Sequence, residues 1–102
     1  MYIYNITFNV ENSIEQEWLD FVKKVFIPKM LKSGLITGAT TAKIVVDEAQ
    51  GTSYSIQFFT DKKENLDHFI NNEFQPILQE IHDKFSPEML YFATELDVID
   101  RQ

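Results

Sequence analysis

The sequence predicts an α+β fold with the element order strand, helix, strand, strand, helix, strand. Two observations carry that prediction. Two long stretches repeat apolar residues at helical spacing, and four shorter ones are β-branched and aromatic runs with a period of two. A third agrees with them: three Gly and three Pro in 102 residues leave little chain for long irregular connections.

The first strand spans residues 2–10. Tyr4, Ile6, Phe8 and Val10 fall on one face, and Ile3, Asn5, Thr7 and Asn9 on the other. A helix begins at Asn12-Ser13, where Ser13 with Gln16 reads as a capping box and Glu15 and Glu17 suit the positive end of the dipole. Ile14, Trp18, Phe21, Val22, Val25 and Met30 give its buried stripe. Pro28 predicts a bend, because proline donates no hydrogen bond and crowds the carbonyl four residues back. Gly34 is a C-terminal stop able to take a left-handed conformation. Residues 39–47 and 53–60 read as two strands joined by a hairpin loop from Asp47 to Gly51. Asp61 with Glu64 is a second capping box. Leu66, Phe69, Ile70, Ile77, Ile81 and Phe85 mark the second helix, which Asn71-Asn72 and Pro76 should break or kink. Ser86-Pro87 turns the chain into a last strand over 89–99. Two right-handed β-α-β crossovers in this order set both helices on one face of a four-stranded antiparallel sheet, the ferredoxin-like βαββαβ arrangement, with residues 1–102 as a single domain.

Composition removes several function classes. No cysteine means no disulfide, thiolate metal site, iron–sulfur cluster or thiol nucleophile, and it fits a reducing compartment. Sixteen acidic against nine basic residues give a net charge of −7, which would repel a nucleic-acid backbone. No apolar run reaches the ~20 residues that span a bilayer, and MYIYNITFNV has neither a basic n-region nor an h-region. The expectation is a cytoplasmic protein with no membrane or nucleic-acid partner.

The two sheet faces differ in kind. Tyr4, Ile6, Phe8, Ala42, Ile44, Tyr54, Ile56, Phe58, Leu90, Phe92 and Leu96 are expected beneath the helices. The opposite face is then expected to carry Ile3, Asn5, Thr7, Asn9, Thr41, Lys43, Val45, Ser55, Gln57, Phe59, Tyr91, Ala93, Glu95, Asp97 and Ile99. A face left in water should be mainly charged. This one mixes apolar side chains with amides and hydroxyls, which suits a surface covered by a second copy. A homodimer through the sheet face is therefore expected, closing the two sheets into a dimeric α+β barrel that could hold a small-molecule ligand.

The chain also resembles a known family. Tyr2-Ile3-Tyr4-Asn5-Ile6-Thr7, Glu17-Trp18-Leu19, Ile27-Pro28, Leu31-Lys32-Ser33-Gly34-Leu35, Thr52-Ser53-Tyr54-Ser55-Ile56-Gln57 and Phe92-Ala93-Thr94-Glu95-Leu96 together resemble an uncharacterised domain-of-unknown-function family, number 4286. That family is similar in plan to the dimeric α+β barrel superfamily, which includes cofactor-free monooxygenases, haem-degrading oxygenases and ligand-binding proteins. The resemblance implies the fold and no particular chemistry. Relatives often carry His just before the Ile-Pro pair, where this chain has Phe26, so any role of that imidazole is missing here.

Among candidate sites, Asn5, Thr7, Gln57, Tyr91 and Glu95 are expected to share the open face. In an oxygenase of a quinol-like substrate, the alternative function, Glu95 would be the base, with Tyr91 and Asn5 orienting the substrate. The plainer alternative is that these groups pair across a dimer interface. His68 and His82 are 14 positions apart, roughly 21 Å along a helix, so no shared metal ion is expected. Asn5 and His82 match the elements that haem-degrading relatives use, but the second helix lacks a Trp and the only arginine is Arg101, so no haem or other cofactor is expected.

Overall fold

The computed structural model describes residues 1–47 and 50–102. Four antiparallel strands form one sheet: β1 (Tyr2–Val10), β2 (Gly38–Lys43), β3 (Thr52–Thr60) and β4 (Met89–Asp97), in the order β2-β3-β1-β4. Two helical arms join them. The first runs through α1 (Glu15–Phe21), a π-helical turn (Val22–Phe26) and α2 (Ile27–Leu31). The second runs through α3 (Lys63–His68), a π-helical turn (Phe69–Phe74) and α4 (Gln75–Phe85). The fold is α+β and ferredoxin-like, as the residue pattern predicts.

Two of the three prolines, Pro28 and Pro76, sit where the arms depart from regular α-helix. Pro28 and Pro76 each stand in the first turn of the α-segment that follows a π-turn. Widening the preceding turn moves the carbonyl that a proline ring would otherwise strike, so the arm continues without that hydrogen bond. Neither capping box forms. A short 3₁₀ turn at Asn12–Ile14 precedes α1, Gln16 instead donates to Asp20 at 3.4 Å, and Lys62, not Asp61, occupies the N-cap position of α3, with no side-chain capping bond. Gly34 is left-handed, with φ 75°. Of the expected loop from Asp47 to Gly51, Glu48 and Ala49 lie outside the described residues. Ser86-Pro87 is a cis turn.

The core lies between the arms and the two central strands. Tyr4, Ile6, Phe8 and Val10 of β1 and Tyr54, Ile56 and Phe58 of β3 are buried against it. Aromatic rings tie the layers. Phe8 meets Trp18 at 5.3 Å and Phe26 at 6.0 Å between centroids, and Phe58 meets Phe69 at 5.8 Å. The Trp18 indole N–H donates to Met89 Sδ at 3.2 Å, which fastens the start of β4 beneath α1. Lys29 bridges the arms to Glu80 at 2.7 Å.

The edge strands depart from the sequence reading. Val10 pairs with Met89, Phe8 with Tyr91, Tyr4 with Glu95, and Tyr2 with Asp97. Tyr91, Ala93, Glu95 and Asp97 therefore share the helix side of the sheet, while Leu90, Phe92 and Leu96 share the open side. β2 is inverted likewise: Ala39, Thr41 and Lys43 oppose Phe58, Ile56 and Tyr54, leaving Ala42 on the open side. β1 and β3 follow the expected phase. Alternation does not separate the two phases of the edge strands, because each phase of β2 and of β4 carries apolar residues. In β4 the Met89 anchor settles the question: it is the strand's one buried residue.

Candidate functional site

Register lays the open face out in rows. Gly38, Phe59, Ile3 and Leu96 form the first, and Thr40, Gln57, Asn5 and Thr94 the second. Ala42, Ser55, Thr7 and Phe92 form the third, followed by Ser53, Asn9 and Leu90. The two central strands thus supply a polar middle, and β4 supplies an apolar border. That border is open: Leu90 is 69%, Phe92 63% and Leu96 39% exposed. Leucines and a phenylalanine at alternate positions of one strand normally face a core, and here they face away from it.

The polar middle is ordered from within. Ser55 Oγ donates to Asn5 Oδ1 at 2.5 Å, and Asn5 Nδ2 donates to Thr7 Oγ1 at 3.3 Å. Asn9 Nδ2 donates to Ser53 Oγ at 3.2 Å. Each bond joins neighbours on one face, so the amides are held by the strands that carry them. Gln57 lies opposite Asn5, its side chain half-buried.

Of the expected cluster, Asn5, Thr7 and Gln57 come together. Tyr91 and Glu95 do not join them. Tyr91 packs its ring on the helix side, 5.9 Å from Phe8. Glu95 is exposed there, 3.8 Å from Lys63 Nζ, which also pairs with Asp67. Burial, then the charge of Glu95, then Tyr91 raise the Tyr4 hydroxyl above its ordinary value, as expected for groups on one side of the sheet. The role of Glu95 as a base on the open face is thereby corrected. Every side chain that register places on that face is apolar, an amide or a hydroxyl, and none of these types ionises near neutral pH.

Two cavities border the face. One, of about 250 Å³, is lined by Thr7, Asn9, Ser53, Leu90, Tyr91 and Phe92. A larger one, of about 440 Å³, is lined by Met1, Ile3, Phe59, Val98 and Arg101. Sequence reasoning missed the role of Leu90, Phe92 and Leu96 and the place of Arg101. For the first three no signal within the strand was available, since the burial of Met89 that fixes its phase is visible only in the structure.

On the helix side, Tyr54 donates its hydroxyl to Glu15 Oε2 at 2.6 Å. That bond is the main cause holding the Glu15 carboxyl below its ordinary range. Burial and the same bond push Tyr54 up to about 12. The pair ties β3 to the first turn of α1 and is structural. Among the described residues, no group of three His, Asp or Glu side chains is placed to hold a metal ion. His68 Nδ1 meets Asn72 Nδ2 at 3.2 Å, and His82 Nδ1 lies 3.6 Å from Asp83 Oδ1.

Residues 1–99 match the family described as a domain of unknown function, DUF4286. The chain belongs to that family. No curated protein matches it in sequence. Solved structures share the fold of this DUF4286 chain. A dimeric ferredoxin-like protein from an uncultured marine organism aligns over 100% of this chain and 98% of its own, with TM-score 0.71 and 18% identity. A mutant of SnoaB, a cofactor-independent oxygenase from Streptomyces nogalater, aligns over 98% and 95%, with TM-score 0.69 and 6% identity. An ethyl tert-butyl ether d (ethd) family protein from Bacillus halodurans aligns over 92% and 97%, with TM-score 0.67 and 11% identity. At these identities the likeness is one of fold. Among the described residues no helix is long and apolar enough to cross a membrane.

Proposed function

We propose that this chain is a homodimeric binding module, with two copies meeting through the open sheet face and a small molecule held where the polar middle is enclosed. The carrying observation is the outward row of Leu90, Phe92 and Leu96 beside the exposed edge of a hydrogen-bonded amide and hydroxyl patch. An apolar border around a pre-ordered polar centre gives up water readily at its rim and keeps directional groups within. A second copy satisfies the face best, because a two-fold pairing sets each apolar border against a like surface. A dimeric neighbour with the same fold supports this reading. Residues 1–102 are then one domain, and the absence of cysteine and the net charge of −7 suit a cytoplasmic protein that does not bind nucleic acid.

The oxygenase reading draws on the likeness to SnoaB. It is the weaker one, since proton abstraction needs a base within hydrogen-bond reach and the open face offers only neutral groups. Sedimentation equilibrium of the purified protein tests the leading reading. A concentration-dependent dimer is expected, and a monomer at the highest attainable concentration would sink it.

A further inference from the structure

We propose that the cavity bounded by Met1, Ile3, Phe59, Val98 and Arg101 is a binding site for a small monoanion with an apolar body, its carboxylate seated on the Arg101 guanidinium. The inference goes beyond the proposed function, because this cavity lies at the Ile3–Phe59 end of the open face, apart from the polar middle. The cavity is formed within one copy of the chain.

Its volume of about 440 Å³ lies within the span of about 300–1,000 Å³ typical of small-molecule pockets. Four of its five lining residues are apolar. Ile3 and Phe59 are register partners, so the floor is a rigid piece of the sheet. Gly38 stands on the other side of Phe59, and a Cβ there would sit 3.7 Å from the ring, so a larger side chain would cover the ring that this glycine leaves open.

The charge is as selective as the shape. Arg101 is the only arginine of the sequence. Among the described residues the Arg101 guanidinium makes no ion pair, a state it shares with Lys23, Lys24, Lys32, Lys43 and Lys62, but of these six cations it alone lines the cavity. The adjacent Asp100 carboxylate accepts a hydrogen bond from Gln102 Nε2 at 2.8 Å. A guanidinium offers a planar fork that matches a carboxylate through two parallel hydrogen bonds, while the apolar lining accepts the body of the ligand. The remainder of the surface is acidic in sum. A polyanion is repelled at distance, while a single carboxylate carried by an apolar body gains from both cavity and cation.

The test is calorimetric titration with 2-naphthoate and with its neutral counterpart 2-naphthylmethanol, with sedimentation run in parallel. Naphthoate should bind at least about tenfold more tightly than the alcohol. Arg101→Gln should remove that preference and leave the alcohol unchanged, and Arg101→Lys should restore part of it, since a lysine keeps the charge and loses the fork. Arg101 is exposed and outside every helix and strand, so neither variant threatens the fold. Equal affinities for the two probes, no binding of naphthoate, or an unchanged Arg101→Gln titration overturns the proposal. Sedimentation separates the two failures: a monomer that discriminates through Arg101 refutes only the dimer, and a dimer blind to naphthoate refutes only this site.

Discussion

Phe92→Gln is the substitution that most directly interrogates the open face. Phe92 is 63% exposed and stands opposite Thr7, within the apolar border supplied by β4. Taking about 200 Å² for a phenylalanine side chain leaves about 125 Å² for a partner to cover. At about 25 cal/mol per Å², that is about 3 kcal/mol per copy, and a two-fold interface loses it twice. The resulting figure of about 6 kcal/mol is a ceiling, because ordering costs consume part of any buried area and glutamine keeps some contact. Half of it, about 3 kcal/mol, weakens the dimer about 100-fold. Folding of the protomer should hardly change, since the ring is already largely in water. Sedimentation equilibrium reads the dissociation constant, and urea denaturation at low protein concentration reads the fold. A dissociation constant within about twofold of the native value, with the fold intact, would show that this face is not where copies meet.

Three further outcomes follow from the same geometry. Gly51→Ala should destabilise the protein by at least about 1–2 kcal/mol in urea denaturation, since φ is +70° and the new Cβ would come 2.5 Å from the Val10 carbonyl oxygen; an unchanged midpoint would refute the close approach. Tyr54→Phe should cost no more than about 1 kcal/mol, since the charged hydrogen bond it removes is screened by water at the Glu15 carboxylate, and should flatten the pH dependence of stability at both ends. The Glu15 carboxyl is depressed in the folded state, so its contribution is present above the unfolded value and lost as pH falls through the folded one. Tyr54 is raised, so its contribution is present below its ordinary value of 10.0 and lost as pH rises towards about 12. Melting temperature across pH, for both proteins, checks the signs. Glu95→Gln should leave the dimer constant and naphthoate affinity unaltered, because Glu95 is paired with Tyr4 on the helix side; a marked change in either would argue that the register of β4 had been misjudged.

What the sequence determined by itself is the order of elements, the places where the helical arms are interrupted and the phase of the two central strands. β1 and β3 alternate strictly, with large apolar side chains on one side and short polar ones on the other, so only one phase buries a core. Pro28 and Pro76 mark the helical breaks because a missing N–H has the same local consequence in any fold. Asn5, Thr7 and Gln57 could be grouped for the same reason. The edge strands were decided only by tertiary structure. In β4, Leu90, Phe92 and Leu96 look like a core stripe, and nothing within the strand says that they face away from their own helices. Val10 meeting Met89, and the Trp18 indole reaching its sulfur, fix that phase and carry Glu95 and Tyr91 to the other side. The arms bury the columns contributed by β1 and β3, whereas β4 keeps only Met89 buried. Alternation reveals that a strand has two faces; which face is inward depends on where the helices end.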